Sequence, residues 1–309
     1  MTKDYDFIII GAGPAGMTAA VYASRAGMKT ALLEAGAPGG KLLKTHKISN
    51  WPGIKEEPGS QLAMDMFEHS TSFGAVYEYG NVTEIRDGER KQILCEDGTI
   101  FTAPAVLVAT GTKERLLNIP GEQEHIGKGI SYCAVCDGAF FRDKETAVIG
   151  GGNSALEEAV YLTQFASKVY LIMRRDVFRA EKAVIDTVLS NPKIELLQNY
   201  IPLQVLDNEG RVGGLEISHT KSGETKVLPV SGIFPYIGAD PITGFLKDLP
   251  VLDKQGYMVV NSNMETSVPL LFGAGDVCQK ELRQVVTAAS DGAIAAQAAF
   301  RKLQESGFF

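Results

Sequence analysis

A strand–turn–helix–strand unit occurs twice in this chain. Phe7-Ile8-Ile9-Ile10 is a β-rich apolar run, followed at once by Gly11-Ala12-Gly13-Pro14-Ala15-Gly16. A helix-forming stretch runs from Pro14 to Arg25, and Gly27 stops it. Thr30-Ala31-Leu32-Leu33-Glu34 is then a second strand that ends in an acid. The unit returns as Ala147-Val148-Ile149, the turn Gly150-Gly151-Gly152-Asn153-Ser154-Ala155, a helix to about Phe165, and the strand from Lys168 to Ile172. Gly11 falls on Gly150, Val21-Tyr22 on Val160-Tyr161 and Leu32 on Leu171, each at an offset of 139 residues without a gap. Two such units imply an α/β chain with two βαβ nucleotide sites.

The rest of the chain is consistent with that frame. Its 309 residues suggest two domains, and 45% hydrophobic with 22% charged residues is the mix of a globular protein. Disorder, collagen and a disulfide scaffold are excluded. The net charge of −7 excludes a general nucleic-acid binder, so any phosphate must be caught locally. No apolar run reaches the ~18 residues of a membrane span. Met1 to Asp6 carries two acids and no basic flank, so a cytoplasmic address is expected.

Short alternating strands are expected near Val76 to Glu84, Gln92 to Glu96 and Ile100 to Ala103. Ala105-Val106-Leu107-Val108 reads as a buried strand ending on Ala109-Thr110-Gly111. After the second unit come a helix over Ala180 to Ser190, and strands near Leu215 to His219 and Lys226 to Val230. Leu270 to Asp276 is a strand closing on glycines and an acid, and a helix runs from Val285 to Gln304. Proline and glycine gather near Lys113 to Gly121 and Pro241 to Gly244, which marks the joints.

The first Gly-x-Gly-x-x-Gly has its full context: a strand before it, a helix after it, and Glu34 23 residues on from Gly11. Backbone N–H groups there can meet a pyrophosphate at the helix N-terminus, and Glu34 can accept from ribose hydroxyls. The competing reading is a tight βα turn without a ligand. In the second unit Met173 stands where Glu34 stands in the first, followed by Arg174, Arg175 and Arg179. Loss of the acid and gain of guanidinium forks favour a 2′-phosphate, so this site reads as NADP-type. A solvated basic face is the alternative.

Of the four cysteines, Cys95, Cys133, Cys136 and Cys278, only Cys133-Ala134-Val135-Cys136 is a close pair. Such a pair in a reducing compartment is redox-active or metal-binding more often than structural. Asp137 beside it could shuttle a proton. Half of a zinc site is the alternative, but no second close Cys/His pair exists, and His46, His69, His125 and His219 are scattered. Cys95 and Cys278 read as buried filler. There is no hydrolytic triad motif, no His-Glu-x-x-His and no Walker loop.

Two dinucleotide sites and one Cys-x-x-Cys suggest a relay from nicotinamide to flavin to disulfide. At these motifs, and over essentially the whole chain, the sequence resembles the bacterial low-molecular-weight thioredoxin reductases. The resemblance rests on Gly11 to Gly16, Pro38-Gly39-Gly40, Asn50-Trp51-Pro52-Gly53, Ala109-Thr110-Gly111, Ser131 to Gly138, Gly150 to Ala155, Arg174-Arg175 with Arg179, Gly273 to Asp276 and Leu282 to Val285. It implies two Rossmann-like, three-layer domains: an FAD domain of residues 1–113 and 243–309, and an inserted NADPH domain of residues 114–242 that carries the thiols. It further implies FAD at Gly11, Gly13, Pro14, Ala15, Gly16, Glu34, Gly39, Gly40, Lys41, Thr45, Asn50, Val82, Ala109, Thr110, Gly111, Gly275, Asp276, Arg283, Gln284 and Val285. NADPH is implied at Gly150, Gly152, Asn153, Ser154, Arg174, Arg175 and Arg179. Cys136 would face the flavin, Cys133 would exchange with thioredoxin, and Asp137 would act as general acid/base. The resemblance also implies a homodimer and a swinging motion of the inserted domain.

Two positions depart from the family pattern: Lys41 stands where Gln is usual, and Met173 where His is usual. The first bears on flavin tuning and the second on NADPH affinity. The competing functional readings are reduction of another dithiol carrier, a ferredoxin-linked flavoprotein, and a flavin redox sensor without turnover. Ferredoxin-linked relatives lose the second glycine and arginine motifs, which this chain keeps. The alkyl hydroperoxide reductase flavoproteins add an N-terminal thioredoxin-like extension, which is not expected here.

Overall fold

The computed structural model describes residues 2–45, 48 and 50–309, so His46 lies outside the described residues. The chain divides into two compact units, one of Met1–Lys44, Ile48–Lys113 and Asp240–Phe309, the other of Glu114–Ala239 with Thr45–Lys47. The N-terminal stretch holds β1 (Thr2–Asp4), β2 (Phe7–Ile10), α1 (Pro14–Arg25), β3 (Thr30–Glu34), α2 (Gly59–Thr71), β4 (Val76–Tyr79), β5 (Val82–Arg86), β6 (Lys91–Cys95), β7 (Ile100–Ala103), β8 (Ala105–Val108) and β9 (Thr112–Glu114). The central stretch holds α3 (Glu122–His125), α4 (Ala134–Asp137), β10 (Glu145–Ile149), α5 (Asn153–Leu162), β11 (Lys168–Met173), α6 (Lys182–Ser190), β12 (Ile194–Gln198), β13 (Tyr200–Asn208), β14 (Arg211–His219), β15 (Thr225–Leu228) and β16 (Gly232–Pro235). β17 (Ala239–Pro241), β18 (Leu271–Gly273) and α7 (Val285–Glu305) complete it, and β17 pairs with β9 where the chain passes between units.

In the first unit a parallel sheet has the order β18-β8-β2-β3-β4, and a second sheet the order β1-β7-β6-β5. The side chains of β2 alternate between two cores because successive residues of a strand face opposite ways. Phe7 and Ile9 pack with α1 and α7, while Ile8 and Ile10 pack with Ile85, Ile93 and Phe101 of the second sheet. The unit is therefore three layers: helices, parallel sheet, second sheet. Fully burying each such apolar side chain stabilises by roughly 1.5–3 kcal/mol. The Ala-rich α7 lies close on α1, and a Cβ at Gly292 would sit 2.1 Å from the Ala15 carbonyl oxygen. Small residues on both helices make that approach.

The second unit repeats the layers. Its parallel sheet runs β12-β11-β10-β16, and an antiparallel sheet runs β13-β14-β15. Ala147 and Ile149 of β10 pack with Val205, Val212 and Leu215 of the antiparallel sheet. Val148 packs the other way, with Ala155, Leu156 and Leu162 of α5. The two three-layer α/β units match the expected fold class.

The expected run from Val76 to Glu84 is two strands in different sheets. Gly80 lies at the break, and a Cβ there would come within 2.9 Å of the Cys95 sulfur. The expected strand from Leu270 to Asp276 ends at Gly273, and a 3-10 turn takes Gly275–Val277. α2 is an element that the periodicity does not announce. No helix among the described residues is long and apolar enough to cross a membrane.

Candidate active site

The three glycines of the first loop do different work. Gly11 has φ +105°, and a Cβ on it would lie 2.5 Å from the Ala109 carbonyl oxygen. A Cβ on Gly16 would lie 1.9 Å from the Gly11 carbonyl oxygen. The strand–helix corner accounts for Gly16, and the chain leaving β8 for Gly11. Gly13 precedes Pro14 at the start of α1, and its Cβ position has no neighbour within 4 Å. No side chain caps α1, so its first N–H groups and dipole face that open space. An uncapped helix start beside open space is chemically suited to an anion. Glu34 closes it from below: its carboxylate accepts from the N–H groups of Ala12 and Gly36, both at 2.9 Å. Each oxygen keeps a further acceptor position for a ribose hydroxyl.

Other residues expected around the flavin converge on the same unit. Gly39 donates its N–H to the Ala12 carbonyl at 2.7 Å, and Gly40 packs against Gly13. Lys41 Nζ donates to Thr112 Oγ1 at 2.7 Å and lies 3.4 Å from Asp276 Oδ2. Asn50 donates to the Gln284 side chain at 3.0 Å, and Gln284 caps α7 together with Thr287. Arg283 stacks over the Tyr257 ring at 4.8 Å. Ala109 donates to the Ile10 carbonyl, and Thr110 and Gly111 bond the backbone of Ile242. Gly275 donates to Asp291 of α7, which also takes a short hydrogen bond from Lys280. Val82 is half-buried in β5 against the second-sheet core. Thr45 groups with the second unit. Thr112, Lys280 and Asp291 were not picked out from the sequence, because single polar residues without a motif carry no signal until the fold brings them together.

In the second loop a Cβ on Gly150 would lie 2.5 Å from the Tyr236 carbonyl oxygen. Gly152 starts α5, again without a side-chain cap, and pairs with Arg179. Arg179 donates its N–H to the Gly151 carbonyl at 2.7 Å, and the Asn153 side chain accepts from Glu181 N–H at 2.7 Å. These bonds tie the arginine segment to the glycine turn. Arg174, Arg175 and Arg179 are exposed, as is Ser154. Met173 is 2% exposed. Its terminal methyl lies 3.0 Å from where a Gly151 Cβ would be, so it supports the loop from within.

Cys133 and Cys136 form a disulfide across the first turn of α4. Cys136 donates its N–H to Cys133 Sγ at 3.1 Å. Two side chains hold this turn. Ser131 Oγ accepts from Cys133 N–H at 3.1 Å and donates to Asp137 Oδ2 at 2.6 Å. The Tyr236 hydroxyl accepts from Ala134 N–H at 2.7 Å. Burial, then the Glu158 and Asp137 carboxyls, push the Tyr236 phenol far above its usual range. Glu158 itself is pushed up to about 7, by burial first and by Glu157 second. Burial also raises the Cys95 thiol, and pushes Cys278 up to about 12, so both are poor thiolates. His125 is held by the Gly121 carbonyl and Asp207. Among the described residues no three His, Cys, Asp or Glu side chains gather as a metal site.

A family model described as pyridine nucleotide-disulphide oxidoreductase matches residues 5–292. Thioredoxin reductase of Bacillus subtilis (strain 168) is 44% identical over 303 residues, covering 98% of this chain and 96% of that protein. Thioredoxin reductase of Treponema pallidum (strain Nichols) is 43% identical, covering 97% of each. The crystal structure of thioredoxin reductase from Streptococcus pyogenes superposes with a TM-score of 0.92 at 44% identity, covering 98% of this chain and 99% of that one.

Proposed function

We infer that this chain, which belongs to the pyridine nucleotide-disulphide oxidoreductase family, is a thioredoxin-disulfide reductase that draws electrons from NADPH through FAD to the Cys133–Cys136 pair. The observation that carries this reading is the disulfide itself, set on a helical turn inside a unit that also holds a glycine-rich nucleotide loop.

The residues fit a bound dinucleotide in the first unit. The open space at Gly13 and the uncapped α1 would take the pyrophosphate, and Glu34 the ribose. Lys41, Asn50, Asp276 and the Arg283-Gln284-Val285 segment would line the flavin and its chain. FAD, when bound, supplies the two-electron relay between nicotinamide and disulfide. This reading assigns FAD to a domain of residues 1–113 and 243–309 and NADPH to residues 114–242, a second boundary three residues beyond the unit limit at Asp240. There the α5 N-terminus would hold a pyrophosphate, while Arg174, Arg175 and Arg179 would grip the 2′-phosphate.

At the thiols, Cys136 is the sulfur on the flavin side and Cys133 the one that exchanges with thioredoxin. Asp137 gives a proton to the leaving thiolate and takes it back in the reverse step. Ser131 holds one Asp137 oxygen and so fixes where that proton goes. The same reading takes the chain to be a cytoplasmic homodimer.

The test is steady-state NADPH oxidation by the FAD-loaded protein with purified thioredoxin, compared with NADH. Thioredoxin-dependent turnover with NADPH preferred is expected. NADPH oxidation that needs a different dithiol acceptor, or no turnover at all, would overturn the reading.

A further inference from the structure

Glu122, at the start of α3, is 1% exposed, and its carboxylate takes three hydrogen bonds. Oε1 accepts from the Leu117 N–H at 2.8 Å and from the Tyr132 hydroxyl at 3.1 Å, and Oε2 accepts from the Asn118 N–H at 2.7 Å. Donors bonded to a buried carboxylate are what let its charge stay there. Burial, then the Glu122 charge, push the Tyr132 phenol far above its usual range, so it keeps its proton and is the donor. Asn118 has left-handed backbone at φ +57°, and the bond from its N–H helps to hold it there. Tyr132 directly precedes Cys133, and Ser131 donates its N–H to the Ile233 carbonyl at 3.0 Å. One buried carboxylate thus ties the residue before Cys133 to the 117–118 segment. Glu122 belongs to no motif of the sequence.

We propose that Glu122 is a positioning residue for the dithiol, acting through its bond to the Tyr132 hydroxyl to keep Cys133 within closing distance of Cys136 once the pair is reduced. This rests on the reading of Cys133–Cys136 as a cycling pair. While the S–S bond exists, it holds the turn by itself. In the dithiol that tether is gone, and how often the two thiols meet depends on how many other conformations the turn can reach. Cys133 caps the turn with extended backbone, φ −147°, and the residues after it are helical. Rotation at Cys133 therefore swings either the turn or the chain before it. The Tyr132–Glu122 bond pins the chain before it. Pinning removes part of that freedom and raises the effective concentration of one thiol at the other. The effect favours the disulfide over the dithiol, and it needs no charge on sulfur.

The test equilibrates the FAD-loaded protein, without air, in mixtures of reduced and oxidised glutathione. Free thiols are trapped with N-ethylmaleimide and counted at Cys133 and Cys136 by mass spectrometry. In this exchange two glutathione thiols give two electrons and two protons to the Cys133–Cys136 bond, which opens to two thiols as the glutathione sulfurs join. Tyr132→Phe cuts the bond to Glu122 and leaves the Glu122 charge in place. It is expected to move the equilibrium toward the dithiol roughly threefold, the size of one ordinary hydrogen bond. Glu122→Gln sets an amide NH2 against a backbone N–H and should move it the same way. Together the two should do no more than the larger does alone, since both act through one tie. Asp207→Ala cuts the 2.8 Å bond to His125 of the same short helix, leaves the Tyr132 bond in place, and should not move the equilibrium. No shift in Tyr132→Phe, a double variant whose effects add, or an equal shift in Asp207→Ala overturns the proposal. If Tyr132→Phe folds poorly, Glu122→Gln against Asp207→Ala decides in the same way. The equilibrium needs neither NADPH nor thioredoxin, so a failed turnover assay strikes the proposed function separately.

Discussion

The Asp291 carboxylate, on the last helix, holds the Gly275 N–H at 2.9 Å and the Lys280 ammonium with the same oxygen. The two charged side chains are only about 15% exposed. The pair thereby locks the Gly275-Asp276 turn to α7. Removing one partner of such a pair leaves the other charge buried and uncompensated, at a cost of about 3 kcal/mol. Asp291→Ala is therefore expected to lower the unfolding free energy by about that much and to loosen retention of FAD, read by denaturant unfolding and by flavin absorbance after gel filtration. Unchanged stability would mean that the pair is solvated in solution.

Cys133→Ser and Cys136→Ser are each expected to abolish thioredoxin reduction while leaving FAD bound and reducible by NADPH. The thiols lie in the second unit, whereas the first glycine loop is built within the other. Anaerobic titration with NADPH, followed by flavin bleaching, reads the outcome. Loss of FAD from either variant would make the pair a structural staple instead.

The arginines give a test of nucleotide choice. Each charge-assisted hydrogen bond to a 2′-phosphate contributes roughly 1.5–3 kcal/mol. Arg174→Ala with Arg175→Ala should weaken NADPH at least about tenfold while changing NADH little, since both side chains are exposed and support no core. Equal changes in the two KM values would remove the 2′-phosphate from this site.

Met173 is where the sequence and the structure give different emphasis. Read as a sequence, Met173→His should tighten NADPH slightly through one added hydrogen bond. In the fold the side chain is buried beneath Gly151. An imidazole there would be partly desolvated and would press on the glycine turn, at a cost of about 1–3 kcal/mol. Met173→His is thus expected to lower the thermal midpoint and to leave NADPH affinity no better. A stable variant with a lower KM for NADPH would show that the position opens to the ligand.

The glycine motifs, the repeated unit and the cysteine pair were readable from the chain alone because each is local. Gly16 must be glycine for a reason that lies within one strand–helix corner, and a Cys-x-x-Cys closes on itself within a turn, whereas Gly11 also answers to Ala109, 98 residues on. Some bounds follow from period and punctuation: α1 and β7 begin and end where the pattern put them, while α5 stops at Leu162 rather than about Phe165 and β14 begins at Arg211 rather than near Leu215. What the chain alone left undecided is which distant residues serve those motifs. Val76 to Glu84 reads as one alternating run, but Gly80 and the Cys95 sulfur split it between two sheets. Lys41 meets Thr112 and Asp276 across 71 and 235 residues of sequence, and Tyr236 reaches Ala134 across 102. Such partners are single polar side chains with no periodicity of their own. They become a site only when sheet pairing and core packing bring them within hydrogen-bond reach.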